Sequence, residues 1–202
     1  MSALPSRRPE AGFTLVEVLI AMTLGLIIMS GVMSTFVYLG RSLARLANQQ
    51  TLEAEGRRTV LLFSQDVHMA QDVTSASDTA VTLTVPTSSG TASVSYTYYG
   101  SATTLGGVSI PALSFVRRVD SGTPFVLARD LVNGANAQPL LIKYYDVTDF
   151  EISSGTVSTR LRSIKKMSLE FSSQTGAAAS GARTPVHSVI TSLLLLRNKT
   201  GY

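Results

Sequence analysis

The sequence predicts an α+β protein in which one long N-terminal helix packs against an antiparallel β-sheet head. A run of 22 residues, 18–39, carries no formal charge and lies in the most apolar part of the chain. Apolar residues continue at helical spacing to Ala70, and beyond Val73 they recur in short, alternating runs that are typical of strands. The chain has 202 residues, enough for one moderate domain and an appendage.

The composition excludes several kinds of site. The chain has no cysteine, so it can form neither a disulfide nor a cysteine-ligated zinc site, and thiol chemistry is absent. The net charge of +4 is mild, and no block of like charges is longer than two residues, which does not favour nucleic acid as a partner. The head must therefore be held together by its apolar core, for which about 130 residues suffice.

Residues 18–39 are long enough to cross a membrane. A helix of this length spans roughly 30 Å of hydrocarbon, and 11 of the 22 residues are Leu, Ile, Val or Phe. A buried core helix is one alternative, but soluble cores seldom need so long a run. A secretory signal peptide is the other, and its apolar region would be shorter, about 7–15 residues. Arg7 and Arg8 favour a cytoplasmic N-terminus, although Arg41 and Arg45 after the run make the charge difference small.

A short motif, Gly12 to Glu17, stands immediately before the apolar run and reads GFTLVE. With the basic residues Arg7 and Arg8 ahead of it, the motif resembles the start of the type IV prepilin family. Members of that family have a basic leader, a glycine and then an apolar helix that begins Phe-Thr-Leu-Val/Ile-Glu. The resemblance implies that a prepilin peptidase cuts between Gly12 and Phe13 on the cytoplasmic face, and that the same enzyme N-methylates Phe13. Residues 1–12 would then be the leader peptide.

The chemistry of these residues agrees with the implied roles. Gly12 has no Cβ, which eases the approach of a peptidase to the backbone beside a membrane. Glu17 places a carboxylate at the edge of the hydrocarbon, where it is costly unless it is paired. Cleavage would create an ammonium at Phe13, and this group can meet Glu17 of a neighbouring subunit when the helices are staggered in a filament. The alternative is that Glu17 only reaches the lipid headgroups.

Apolar positions after the membrane segment predict that the helix continues well beyond it. Leu43 and Leu46 share one face, and Phe63 belongs to a second apolar face that follows a polar stretch. We therefore expect one helix from Phe13 to about Asp72. The expected domains are the leader 1–12, the transmembrane and filament-core helix 13–39, the amphipathic second half of the helix 40–73, and the β-rich head 74–202.

The head is expected to contain seven strands separated by clusters of Gly, Pro, Asn and Ser. Clean alternation of apolar and polar residues in several of them indicates sheets with one buried face. The expected strands are Val81–Val85, Val94–Tyr99, Leu113–Val119, Phe125–Asp130, Leu140–Asp146, Ile164–Phe171 and Val189–Leu196.

Four features of the head are similar to the PilW-type minor pilins and the J-type minor pseudopilins of type II secretion. They are the Arg117–Arg118 pair, Lys143–Asp146, Leu161–Phe171 and the terminal Leu195–Asn198. Major pilins of related systems are usually shorter and simpler. The resemblance therefore implies a minor subunit.

Other candidate sites have a weaker basis. His68 and Asp72, with Asp66 nearby, could form half of a metal site if they share a helix face, but a solvated face is the more common explanation. No Gly-x-Ser-x-Gly motif supports a hydrolase, and the scattered acids of the head do not make a calcium loop. We expect neither a metal, nor a cofactor, nor a catalytic residue.

The densest basic cluster comprises Arg160, Arg162, Lys165 and Lys166. It could contact DNA, but charges that protect strand edges from aggregation are the more common explanation. Several tyrosines at strand spacing are expected to pack within the sheets; they are Tyr96, Tyr98, Tyr99, Tyr144 and Tyr145.

Together these features predict a structural filament subunit and not an enzyme. It would be anchored by a single helix in the bacterial inner membrane, with a cytoplasmic N-terminus and a periplasmic head. Its expected partners are the prepilin peptidase and methyltransferase, other pilin or pseudopilin subunits, and the membrane with its assembly platform. It would prime or cap a type IV pilus or a type II secretion pseudopilus. The first alternative is a filament-tip module that binds a surface, DNA or a secreted substrate, and the second is a periplasmic enzyme held by a signal anchor.

Overall fold

A computed structural model describes residues 13–88, 90–133, 138–174, 186–190 and 193–199. Within these residues the chain starts with one long helix, α1 (Leu15–Met69), and continues into a β-rich head. A short helix, α2 (Ser154–Val157), and a 3₁₀ turn (Leu161–Ser163) precede β10. The strands are β1 (Asp72–Ala76), β2 (Ala80–Thr87), β3 (Gly90–Tyr99), β4 (Thr103–Leu105), β5 (Val108–Ile110), β6 (Ser114–Val119), β7 (Phe125–Ala128), β8 (Leu140–Tyr145), β9 (Glu151–Ile152), β10 (Lys166–Gln174), β11 (Val186–Ile190) and β12 (Leu194–Leu195).

The predicted α+β class is confirmed: a long N-terminal helix is followed by antiparallel sheets. Helix α1 ends at Met69, slightly before the expected limit at Asp72. Its last turn tightens, because the N–H of Ala70 donates to the carbonyl of Val67 at 3.3 Å. The chain then enters the first sheet, where the N–H of Gln71 donates to the carbonyl of Thr84.

The chain divides into two compact units, one ending at Leu46 and the other beginning at Ala47. The described part of the first unit is the helical segment up to Leu46, whose large apolar side chains are exposed. The second unit contains the rest of α1 and all the described strands.

The head contains two main antiparallel sheets within the described residues. The first has the order β1-β2-β3-β6-β7, and the second has the order β11-β10-β8-β9, with β12 also paired to β10. Strands β4 and β5 form a separate hairpin. Its turn uses Gly106 and Gly107 at φ +54° and +81°, values that glycine adopts without strain.

The apolar core joins the second half of α1 to both sheets. Phe63 and Val67 of α1 are fully buried in the same cluster as residues of the two sheets. The ring of Phe63 lies edge-on to Tyr96 of β3 with the centroids 5.1 Å apart, a favourable aromatic geometry. Strand β2 buries every second residue, as the alternation in its sequence predicts.

The prediction of the strands is incomplete. It missed β1, β4, β5 and β9, and these strands are polar or only a few residues long. The single strand expected over Val189–Leu196 is wrong, because β11 and β12 pair with different parts of β10. Lys166 and Met167 pair with β12, whereas the segment from Glu170 to Gln174 pairs with β11.

Candidate assembly site at the N-terminus

The first turn of α1 is closed by Thr14 and Glu17. The backbone N–H and the hydroxyl of Thr14 donate to Oε2 of Glu17 at 3.0 and 2.9 Å. In return, the N–H of Glu17 donates to Oγ1 of Thr14 at 3.3 Å. This reciprocal arrangement is a capping box, in which two N–H groups at a helix start find side-chain partners. The spacing Thr-x-x-Glu at residues 14–17 is the sequence signal for this capping box, which was not among the predicted features.

The capping box fixes where α1 begins and how Glu17 is held. Thr14 is the residue before the helix, so α1 starts at Leu15 and not at the expected Phe13. Phe13 is 87% exposed. Gly12 and the basic residues Arg7 and Arg8 lie outside the described residues.

The surface of α1 that follows Glu17 is apolar and unburied. Among the described residues one helix, Leu15–Met69, is long and apolar enough to cross a membrane, and none of its most apolar stretch is buried. Its exposed side chains include Leu19, Ile27 and Phe36. Apolar side chains left open over such a length need a lipid or protein environment.

Comparison with known families agrees with this N-terminus. Residues 7–33 match the prokaryotic N-terminal methylation motif, and the match includes Arg7, Arg8, Gly12, Phe13 and Glu17. In this segment the chain is similar to type IV prepilins. No curated protein and no solved structure matches the chain. The prepilin motif implies processing by a prepilin peptidase and assembly with other pilins, and together with the apolar helix Leu15–Met69 it fits an anchor in the inner membrane.

The head contains a buried ion pair that was not among the predicted sites. Asp66 of α1 is 4% exposed, and its Oδ2 accepts hydrogen bonds from the Tyr96 hydroxyl at 2.5 Å and from Nε of Arg117 at 2.7 Å. Its Oδ1 accepts from Nη2 of Arg117 at 3.2 Å. Since Tyr96 lies on β3 and Arg117 on β6, these bonds join the helix to the first sheet.

The electrostatics of this cluster follow from burial and from the charge of Asp66. Burial and the neighbouring Asp66 carboxylate raise the pKa of the Tyr96 phenol, so it stays a hydrogen-bond donor. The hydrogen bond to Asp66 raises the pKa of Arg117. An acid between Phe63 and Val67, on the apolar face of a helix, was the signal in the sequence, because a buried carboxylate requires a partner.

The head does not bring together the candidate metal ligands. The carboxylate of Asp66 is hydrogen-bonded to Arg117 and Tyr96. Asp72 lies on β1, so the prediction that His68 and Asp72 share a helix face is wrong. Nδ1 of His68 lies 2.9 Å from the carbonyl oxygen of Leu195. Among the described residues, no three His, Asp or Glu side chains could hold a metal ion.

The basic cluster and the tyrosines of the head differ in their secondary structure and burial. Arg160 and Arg162 lie on the turn before β10 and not on a strand, so protection of a strand edge is the wrong explanation for them. Lys166 lies on β10 and forms an ion pair with Asp149. Packing of Tyr96 and Tyr144 within the sheets is confirmed, because both are buried in the core.

Proposed function

We propose that this prepilin is a minor pilin or minor pseudopilin, a structural subunit that assembles through its N-terminal helix and is not an enzyme. The observation that carries the proposal is the unburied apolar surface of α1, which begins beside the carboxylate of Glu17 inside the matched methylation motif. This surface contacts lipid before assembly and neighbouring helices within the filament. The subunit primes or caps either a type IV pilus or a type II secretion pseudopilus.

Processing is proposed at the start of the matched segment. The leader 1–12, with Arg7 and Arg8, stays in the cytoplasm, and the peptidase cuts between Gly12 and Phe13 before methylating Phe13. The segment 13–39 then spans the inner membrane, 40–73 continues the helix, and the head 74–202 lies in the periplasm. This orientation agrees with positive charge on the cytoplasmic side.

The hydrogen bonding of Glu17 supports its role in setting the register between subunits. Both hydrogen bonds that Thr14 donates go to Oε2 of Glu17, and among the described residues Oε1 of Glu17 has no hydrogen-bond partner. Oε1 is therefore open to the ammonium that cleavage creates at Phe13 of a neighbouring subunit. An opposite charge at the edge of the hydrocarbon offsets the cost of leaving the carboxylate there.

Replacement of Gly12 tests the processing step. We expect Gly12→Val to accumulate at the mass of the full precursor, whereas the wild-type chain loses residues 1–12 and gains a methyl group on Phe13. Mass spectrometry of the intact protein measures both changes, and Ala11→Val is the matched control because it adds similar bulk beside the cut. Normal processing of Gly12→Val, or of the wild type in cells without the peptidase, would contradict the proposal.

Replacement of Glu17 tests the assembly step. A deletion strain complemented with Glu17→Ala should retain the processed, membrane-bound protein but lose filaments, and Glu53→Ala is the control for loss of an acid elsewhere on α1. Scoring both piliation and protein secretion tells which filament the subunit serves. If filaments and both activities persist with Glu17→Ala but a surface, DNA or secreted substrate is no longer bound, the subunit is instead a binding module at the tip.

A further inference from the structure

A basic groove lies in the head between β1 and the turn that precedes β10. Its volume is about 460 Å³. One side is formed by Asp72, Val73 and Thr74, and the other by the segment 158–163. All of these residues belong to the second compact unit. None of them takes part in the N-terminal assembly site, so the role of the groove does not depend on the function proposed above.

Among the described residues that line the groove there is one acid, and a lysine behind it balances its charge. The side chain of Lys199 is only 2% exposed, and its Nζ lies 3.5 Å from Oδ1 of Asp72. The same Nζ donates to the carbonyl of Leu161 at 2.5 Å, so Lys199 is fixed beneath the groove. The charges of Asp72 and Lys199 offset each other, and the two guanidinium groups of the groove, those of Arg160 and Arg162, determine its net charge.

The two arginines are open to solvent. Arg160 and Arg162 are exposed, and neither side chain forms a hydrogen bond or a close ion pair with any described residue. Arg160 lowers the pKa of Asp146 by electrostatic attraction but does not hydrogen-bond to it. The hydroxyls of Ser158 and Ser163, also on the groove wall, have no hydrogen-bond partner within the described ranges. The groove thus offers two planar cationic forks and two hydroxyl donors, a set that suits carboxylates.

We propose that this groove binds an acidic peptide segment of a partner protein, through its glutamate or aspartate carboxylates. Arg160 and Arg162 hold two carboxylates, and Ser158 and Ser163 supply further hydrogen bonds to them. Single-stranded nucleic acid fits the groove poorly, because proteins bind it with aromatic side chains on which bases stack, and none of the described residues that line this groove is aromatic.

A binding experiment with the full chain in detergent tests the proposal. The probe is a short fluorescent peptide of alternating glutamate and serine, compared with the same peptide carrying glutamine for glutamate and with a single-stranded oligonucleotide. The double variant Arg160→Gln, Arg162→Gln removes both cationic groups but no hydrogen bond within the described head. Arg129→Gln removes an exposed arginine outside the groove and is the matched control.

The expected result is saturable binding of the acidic peptide that weakens at least roughly tenfold in the double variant, as loss of two charge-assisted contacts implies. The Arg129→Gln control should bind like the wild type, and the glutamine peptide should not bind. The proposal is overturned if the double variant binds the acidic peptide as tightly as the wild type, or if the glutamine peptide binds equally well. Tighter binding of the oligonucleotide, lost in the double variant, would assign the groove to nucleic acid instead. Equal thermal unfolding of all variants excludes loss of folding as the cause.

Discussion

At the scale of single residues, Asp66 holds the helix to the first sheet. It is a buried carboxylate whose two oxygens accept three hydrogen bonds from Tyr96 and Arg117. A buried charge that is fully paired adds little stability relative to an apolar replacement, but removal of one partner leaves the other without compensation. The cluster therefore specifies how α1 meets the sheet more than it adds to stability.

Two variants separate the parts of this cluster. Tyr96→Phe keeps the ring between Phe63 and Phe115 and removes one hydrogen bond to a charged group, so we expect a loss of about 1.5 kcal/mol in the free energy of unfolding. Asp66→Ala leaves the Arg117 guanidinium without its counter-ion in a partly buried site, and the expected loss is about 3 kcal/mol.

Urea unfolding of the full chain in detergent measures both losses. Tyr98→Phe is the control, because among the described residues its hydroxyl has no hydrogen-bond partner. The expected change for this control is below about 0.5 kcal/mol. A Tyr96→Phe protein as stable as the wild type would show that the hydroxyl of Tyr96 contributes nothing to the cluster.

Asp146 controls the turn between β8 and β9 and gives the head a dependence on pH. Its Oδ1 accepts hydrogen bonds from the hydroxyl and N–H of Thr148, both at 2.7 Å, and from the N–H of Phe150 at 3.0 Å. These bonds, that of the Thr148 hydroxyl first, hold the pKa of Asp146 below its usual 3.8. A carboxyl with a lowered pKa stabilises the folded state above its unfolded pKa, and this contribution disappears as the pH falls through the folded pKa.

Asp146→Asn should keep the turn, since the amide oxygen can accept the same hydrogen bonds, but should remove this dependence on pH. We expect the melting temperature of the variant to fall less than that of the wild type between about pH 5 and about pH 2.5. Glu151→Gln is the control for loss of an exposed acid next to the turn. Parallel curves for Asp146→Asn and the wild type would contradict the assignment.

At the scale of elements, the start of α1 combines two tasks in a few residues. Thr14 is the last residue before the helix and orients Glu17, and Glu17 in turn closes the cap. The same carboxylate is the group proposed to register subunits. Local helix chemistry and the proposed assembly chemistry therefore share one side chain, and a change to Thr14 should affect both.

Thr14→Val removes the side-chain hydroxyl and keeps the shape of the residue. We expect the backbone N–H groups of the first turn to exchange with solvent roughly fivefold faster than in the wild type, as loss of a cap implies. Hydrogen exchange measured by NMR in detergent micelles is the test. Thr14→Ser retains the hydroxyl and should exchange like the wild type, and equal rates for Thr14→Val would mean that the capping box is not formed in solution.

The sequence predicted the strongly patterned elements and missed those without a pattern. The first part of helix α1 follows from its long uncharged apolar run, and strand β2 follows from an alternation that is set by burial of one face. Strand β1, with the sequence DVTSA, has few apolar residues that would identify it as a strand. It pairs antiparallel with β2, the next strand along the chain. Pairing of this kind depends on tertiary contacts and not on local preference.

The sequence likewise predicted one part of the candidate sites and missed another. The motif around Glu17 was visible in the sequence, because its residues lie close together along the chain. The contact of Asp66 with Tyr96 and Arg117 joins residues that are 30 and 51 positions apart, and no local spacing reveals it. The groove beside Arg160 likewise depends on β1, an unexpected strand.

At the scale of the whole molecule, the two compact units differ in whether their apolar side chains are buried. In the first unit, no described side chain from Phe13 to Leu46 is buried, although most of them are apolar. In the second unit, the buried apolar residues begin at Leu52 and continue to Leu196. The second unit therefore contains the entire described core, and the described part of the first unit has no core.

This division predicts that residues 47–202 fold without the first unit. The fragment keeps every described core residue, including Phe63 and Val67, and it loses only side chains that bury nothing. We expect a soluble protein that unfolds cooperatively within about 3 °C of the full chain in detergent. A fragment that begins at Thr74 is the contrast: it lacks Phe63, Asp66 and Val67, leaves Arg117 without its acceptor and opens the core, so it should not fold. Circular dichroism during heating measures both, and a 47–202 fragment that stays unfolded would show that the core needs the first unit after all.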